Sequence, residues 1–100
     1  MNMRKLEPIH PGEILLEEFL LPMNISQPRL ADDTKISVEE ITAIIEGTGP
    51  ITPNAALRLS LYFGLSERYW LNLQSRYDLE TEKERVADNL RKEVRVLQAA

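Results

Sequence analysis

The stretch Ser26 to Gly47, SQPRLADDTKISVEEITAIIEG, reads as two short helices at a steep angle, joined by a tight turn. Ser26 is a good N-cap, because its hydroxyl can accept an orphan N–H of the first turn. Pro28 falls inside that turn, where a missing donor costs little. The first helix is expected to run to about Thr34. Ser37 restarts the pattern as a second N-cap, and Glu40 completes the S-x-x-E capping box, in which two side chains satisfy backbone donors reciprocally. Gly47 closes the second helix, since glycine takes left-handed φ without steric cost.

Leu30, Ile36, Ile41, Ile44 and Ile45 are the inward positions, and Ala31 is small where the second helix crosses closely over the first. Counted from Gln27, Ala31 comes four on, the turn at Lys35 and Ile36 eight and nine on, Ile41 fourteen on and Ile44 seventeen on. That is the spacing of a DNA-binding helix-turn-helix, whose second helix lies in the major groove. The plainer reading of the same stretch is an ordinary αα-hairpin.

The rest of the chain predicts a single all-α domain built around this pair. One hundred residues suffice for a modest core and are too few for two. Residues 1–10 are expected to form a flexible arm whose only regular feature is the basic pair Arg4 and Lys5. Pro11 and Gly12 open a helix of about Gly12 to Leu21, with Ile14, Leu15, Phe19 and Leu20 on one side and Glu13, Glu17 and Glu18 on the other. Pro22 is expected to end it, because the residue before a proline is pushed away from helical geometry.

After the central pair, Gly49 and Pro50 make a turn, and Thr52 with Pro53 starts a fourth helix with Ala55, Ala56, Leu59 and Tyr62 or Phe63 inward. Gly64 ends it. Ser66 caps a fifth, SERYWLNLQSRYDL, in which Tyr69, Trp70, Leu73 and Tyr77 share a face. Trp70 is expected in the core, with Tyr69, Leu73 and Tyr77 at a dimer or partner contact and Asn72 and Gln74 as polar neighbours. Such short helices must hold one another through their apolar faces, which gives a compact five-helix bundle over residues 11–79.

Residues 80–100 are rich in both charges, and Val86, Leu90, Val94 and Leu97 form a narrow amphipathic stripe suited to docking on a sister subunit or another protein. Val94 to Leu97 also suits a short strand.

Composition excludes several classes. There is no cysteine, so neither a disulfide nor a thiolate nucleophile is available, which suits a reducing cytoplasm. A lone histidine, His10, cannot build a multi-histidine metal site and is expected to be structural or solvated. No apolar run is long enough to span a bilayer, and MNMRKLEPIH lacks a signal-peptide core. With no Gly-rich phosphate loop, no histidine-based triad and no metal-ligand spacing, neither an enzyme nor a cofactor is expected. Glu17 and Glu18 do not face each other on a helix and read as a solvated face rather than a catalytic pair.

The net charge of −4 sits awkwardly with nucleic-acid binding, since phosphate neutralisation by Lys and Arg supplies much of the affinity. Between Asn24 and Gly47, Arg29 and Lys35 face Asp32, Asp33, Glu39, Glu40 and Glu46.

In combination, PGEILLEEFL, SQPRLA, ITPNAALRLSLYFG and SERYWLNLQSRYDLE are similar to the HigA-type antitoxins, a branch of the XRE family with a lambda-repressor/Cro-like helix-turn-helix fold. The resemblance covers Pro11 to about Glu80. It implies a cytoplasmic homodimer that binds a HigB-type RNA-cleaving toxin and represses its own operon through double-stranded, palindromic operator DNA. A two-fold dimer accounts for a palindrome, because its recognition helices enter successive major grooves about 34 to 36 Å apart. Carried over by position, the recognition helix is Ser37 to Glu46. Ser37, Val38, Glu39 and Thr42 face the groove, while Gln27, Arg29 and Lys35 touch phosphate or position the helix.

The chain departs from the family at the turn, where Lys35 stands in place of the usual glycine at a cost of about 1 kcal/mol if it takes left-handed φ. Thr34 replaces a hydrophobic residue, and Val38, Glu39 and Glu40 replace common Arg, Gln or Asn. Glutamate can accept from cytosine N4 and Val38 can meet a thymine methyl, so base reading is compatible with these residues. The alternative is a protein-binding antitoxin or adaptor with weak or lost sequence-specific DNA binding.

Overall fold

The structure, a computed structural model, describes residues 7–98. Arg4 and Lys5 of the expected arm lie outside the described residues. The first helical stretch comprises α1 (Pro11–Ile14), a π-helical segment (Leu15–Leu20) and α2 (Leu21–Met23). It is followed by α3 (Gln27–Thr34), α4 (Val38–Glu46), α5 (Pro53–Phe63) and α6 (Glu67–Glu93). Counting the first stretch as one helix, five helices make up the described residues, and the fold is all-α as the sequence predicts.

Local chemistry sets the boundaries. Side chains of Ser26, Ser37, Thr52 and Ser66 each accept a backbone N–H of the helix they open. Left-handed residues close the preceding stretches: Asn24, Lys35, Gly47 and Gly64. Each such cap satisfies groups that a helix end otherwise leaves orphaned. The capping box is half realised: the Glu40 N–H donates to Ser37 Oγ at 3.1 Å. The reciprocal bond from the Glu40 carboxylate to the Ser37 N–H is not formed among the described residues.

Pro22 does not end the first helix, which continues to Met23. The reason is a change of register. Through Leu15–Leu20 the backbone pairs five residues apart, and the Leu21 N–H reaches the Leu16 carbonyl. Pro22 then stands in the first turn of the closing segment, where its missing N–H leaves no gap. Leu21 keeps helical dihedrals of −66° and −50° despite preceding a proline. The chain turns out only at Asn24, with the Ile25 N–H on the Leu20 carbonyl at 2.9 Å.

The core is a single cluster contributed by every helix, including Leu15, Leu20, Leu30, Ile41, Ile44, Leu59 and Trp70. Trp70 is fully buried, and Phe19 and Phe63 pack on it with ring centroids 4.9 and 5.7 Å away. Gly12 lets the first helix cross α4 backbone to backbone. A Cβ there would lie 1.7 Å from the Ile44 carbonyl oxygen, so no larger residue fits. The PGE motif is thus a clamp on the C-terminal end of α4. His10 stands beside it, with Nδ1 accepting the Gly12 N–H at 2.9 Å and its ring edge-on to Tyr77.

The fifth helix does not stop near Leu79. It continues unbroken to Glu93, because nothing after Leu79 breaks it: residues 80–93 contain no proline or glycine. Beyond it Val94 is extended, and residues 94–98 are neither helix nor strand. Gln74 turns toward the body, and its Oε1 accepts the Ile51 N–H at 2.7 Å.

Candidate nucleic-acid interface

The three residues Lys35, Ile36 and Ser37 join α3 to α4, and each has one task. Lys35 takes the left-handed conformation, φ 63°, that the turn demands. Ile36 is buried beneath the turn. Ser37 caps α4. Behind them, Leu30 and Ala31 of α3 and Ile41 and Ile44 of α4 are buried in the seam that fixes the crossing. Thr34, the polar substitute in that seam, is also buried; its hydroxyl donates to the Leu30 carbonyl at 2.6 Å and accepts the Ile36 N–H at 3.3 Å. Its hydrogen bonds therefore offset the lost apolar contact.

What remains outside is the expected reading surface. Ser37, Val38 and Glu39 at the start of α4 are exposed, and Thr42 one turn on is half-buried. Gln27 at the start of α3 is half-exposed, and Arg29 and Lys35 are exposed. All seven sequence-predicted residues thus occupy accessible positions at the helix starts and the turn, although Thr42 lies partly under its neighbours. The first turn of α4 presents the positive end of its helix dipole on this side, with Glu39 and Glu40 partly countering it.

Electrostatics at this surface is self-contained. Arg29 Nε lies 3.4 Å from Asp33, and Lys35 Nζ lies 3.4 Å from Asp32. Exposed pairs of this kind contribute about 0–1 kcal/mol, so a phosphate can replace the carboxylate at small cost. Asp33 is held from a second side by the Tyr62 hydroxyl, which donates to it at 2.7 Å. That bond holds the Tyr62 phenol proton above its ordinary pKa, with burial and the Asp33 charge acting in the same direction.

Two residues have roles here that the sequence reading did not give them: Arg58 went unremarked, and Tyr62 was expected only as an inward alternative to Phe63. Arg58 of α5 donates from Nη1 to the Thr34 carbonyl at 3.0 Å and from Nε to Asn54 at 2.7 Å, closing the C-terminal end of α3. Tyr62 ties the same end through Asp33. The Asn54–Arg58 spacing is visible in the sequence, but the partners Thr34 and Asp33 lie 24 and 29 residues away, and no local pattern reports them.

The second group of expected contacts divides. Tyr69 is exposed on its outer edge, whereas Leu73 and Tyr77 are half-buried. They line a shallow hollow of about 390 Å³ with Glu7, Pro8, Ile9 and Ile14. Val86 is half-exposed, and Leu90 and Val94 are open to solvent on the far half of α6. Among the described residues, no group of three or more His, Asp or Glu side chains is placed to hold a metal ion. No helix among them is long and apolar enough to cross a membrane.

The geometry can be set beside known proteins. No family model matches the chain. Virulence-associated protein I of Dichelobacter nodosus is 47% identical over 72 residues, covering 72% of this chain and 67% of the relative. Antitoxin HigA-1 of Vibrio cholerae is 34% identical over 79 residues, covering 79% of this chain and 74% of the relative. Among solved structures, the Pseudomonas aeruginosa antitoxin HigA with the higBA promoter superposes with a TM-score of 0.88. It is 38% identical, with 91% of this chain and 99% of that chain covered.

Proposed function

Because the chain belongs to the HigA-type antitoxins of the XRE/Cro-like helix-turn-helix family, we propose that it neutralises a HigB-type RNA-cleaving toxin by binding it. As a homodimer it also represses its own operon from a palindromic operator. The chain is not an enzyme; its relatives are antitoxins and transcription regulators. The cytoplasm is the site of action, where both operator and toxin are reached.

The likeness over nearly its whole length to an antitoxin solved with its promoter carries the reading. In this chain α4 enters the major groove, Ser37, Val38, Glu39 and Thr42 meet base edges, and Gln27, Arg29 and Lys35 meet the phosphates. Arg29 and Lys35 exchange their carboxylate partners for phosphate on binding. The free half of α6, with Val86, Leu90 and Val94, serves the toxin.

A second reading, a protein-binding antitoxin without operator recognition, is favoured by one observation: both cations of the helix-turn-helix are already paired within α3 or its cap. Fluorescence anisotropy of the protein with its own upstream DNA, against scrambled DNA over a range of salt, separates the two. Specific binding is expected, with a log–log salt slope of about −3.6 for a dimer using Arg29 and Lys35 on each protomer. Equal affinity for both DNAs would leave toxin binding as the function.

A further inference from the structure

The two cations of the helix-turn-helix are paired unequally. Lys35 sits on Asp32, whose side chain is 80% exposed and which has no other partner among the described residues. Water takes over such a carboxylate as soon as the lysine leaves it. Arg29 sits on Asp33, whose side chain is only 35% exposed, with Nε 3.4 Å from Oδ2. That is longer than the roughly 2.7–2.9 Å of a charge-assisted N–H···O bond. The shorter bond to the same oxygen comes from another helix: the Tyr62 hydroxyl of α5 donates to Asp33 Oδ2 at 2.7 Å. Of the two carboxylates, then, the less hydrated one has a second donor.

We infer that Tyr62 is a positioning residue for operator binding: by holding the Asp33 carboxylate against α5, it frees Arg29 for a DNA phosphate. This rests on the reading of α3 and α4 as an operator-binding pair, and it gives a role to a residue that reading leaves outside the interface. Hydration is the reason. A half-covered carboxylate with no other donor holds on to the nearest guanidinium, because leaving a polar group unsatisfied costs more than one hydrogen bond returns. With the Tyr62 proton on Oδ2, Arg29 can swing away and leave Asp33 satisfied.

Arg29 has room to do so, since its side chain is 61% exposed. Asp33 cannot follow it, because the next residue is pinned as well. The Thr34 carbonyl accepts from Arg58 Nη1 at 3.0 Å, one turn before Tyr62 on the same helix. Tyr62 also remains a donor throughout the neutral range, because its bond to Asp33 holds the phenol proton above its ordinary pKa. Nothing equivalent serves Lys35, whose exposed partner needs no substitute donor.

Fluorescence anisotropy of the full chain with its own upstream DNA over a range of salt, with scrambled DNA as control, tests this role. Tyr62→Phe removes one oxygen and keeps the ring that packs on Phe63, with centroids 4.9 Å apart. Operator affinity is expected to fall about tenfold for a dimer, one hydrogen bond being lost in each protomer. The log–log salt slope should shrink from about −3.6 toward about −1.8, because only Lys35 still meets phosphate. Asp33→Asn removes the charge that competes with the phosphate, and it is expected to bind at least as tightly as the parent with the full slope. On that background Tyr62→Phe should change neither quantity. A loss caused by weakened folding would instead lower Tm and persist in the double variant. A parent that binds specifically while Tyr62→Phe keeps its affinity and slope overturns the role of Tyr62 and leaves operator binding intact, as does a loss that Asp33→Asn does not rescue. If Tyr62→Phe does not fold, Asp33→Asn decides: weaker binding than the parent would mean that Asp33 steers Arg29 toward phosphate, which overturns the inference. A parent with no preference for its own DNA overturns the operator reading, and this role with it.

Discussion

Lys35 holds a backbone conformation that glycine adopts more easily. At φ 63° its Cβ crowds the following carbonyl, a strain of about 1–2 kcal/mol for an L-residue. Its ammonium returns little of this, because the pair with Asp32 is exposed. In Lys35→Gly the removed strain outweighs the extra freedom of glycine in the unfolded chain, so stability is expected to rise by about 0.5–1 kcal/mol. If Lys35 meets a phosphate, the same change lowers operator affinity and reduces the salt slope by about 1 for each protomer. Chemical denaturation and anisotropy across salt check the two effects on one protein. A stability gain with unchanged DNA binding would remove Lys35 from the interface. The left-handed backbone here was expected only through the resemblance, whose members usually carry glycine at this turn, whereas the role of Gly47 was legible from the residue itself. Gly12 was less legible: PGE stood out as a motif, but only the backbone crossing with Ile44 explains why its middle residue has no side chain.

At the scale of elements, caps were legible and registers were not. Ser26, Ser37, Thr52 and Ser66 act locally, within three residues of the N–H they satisfy, so sequence alone placed those helix starts. The π-helical segment depends on how the first helix seats against the core, and Pro22 could not report it. Likewise α6 has no breaker at Leu79, and the change in composition there marks a loss of burial rather than an end of helix. His10 begins the first helix by accepting the Gly12 N–H, a bond that needs a neutral Nδ1. Burial lowers its pKa from the ordinary 6.5, while the Asp78 charge and the Gly49 carbonyl pull it up without reversing the shift. The sign of the effect follows. As pH falls below about 6.5 the unfolded chain takes the proton first, so stability drops, and the loss levels off once the folded form is protonated too. Tm is therefore expected to fall between pH 7 and 5 by more in the parent than in His10→Asn, which keeps a side-chain cap that does not titrate. Equal pH profiles for the two proteins would show that this histidine contributes nothing to the linkage.

The molecule as a whole is a small body with one long projection. Its principal extents are 55 × 38 × 22 Å, and its radius of gyration of 17.2 Å exceeds the roughly 13 Å of a compact chain this long. The excess comes from α6 beyond Leu79, where only Val86 is partly covered. Periodicity foretold the bundle and its core, because burial follows the apolar stripes; it could not foretell the projection, because an amphipathic stripe looks the same whether its partner is the same chain or another. This division of labour sets the last expectation. A chain ending at Thr81 loses no residue buried in the core, so its Tm is expected to stay within about 4 °C of the parent's. Its radius of gyration in solution should approach about 12 Å. Operator binding should persist, since every residue assigned to it precedes the cut, whereas capture of the toxin should be lost. Calorimetry, small-angle scattering, anisotropy and a toxin pull-down read the four quantities on one variant. Loss of folding would show that the projection stabilises the body, and retained toxin capture would move the toxin contact onto the bundle.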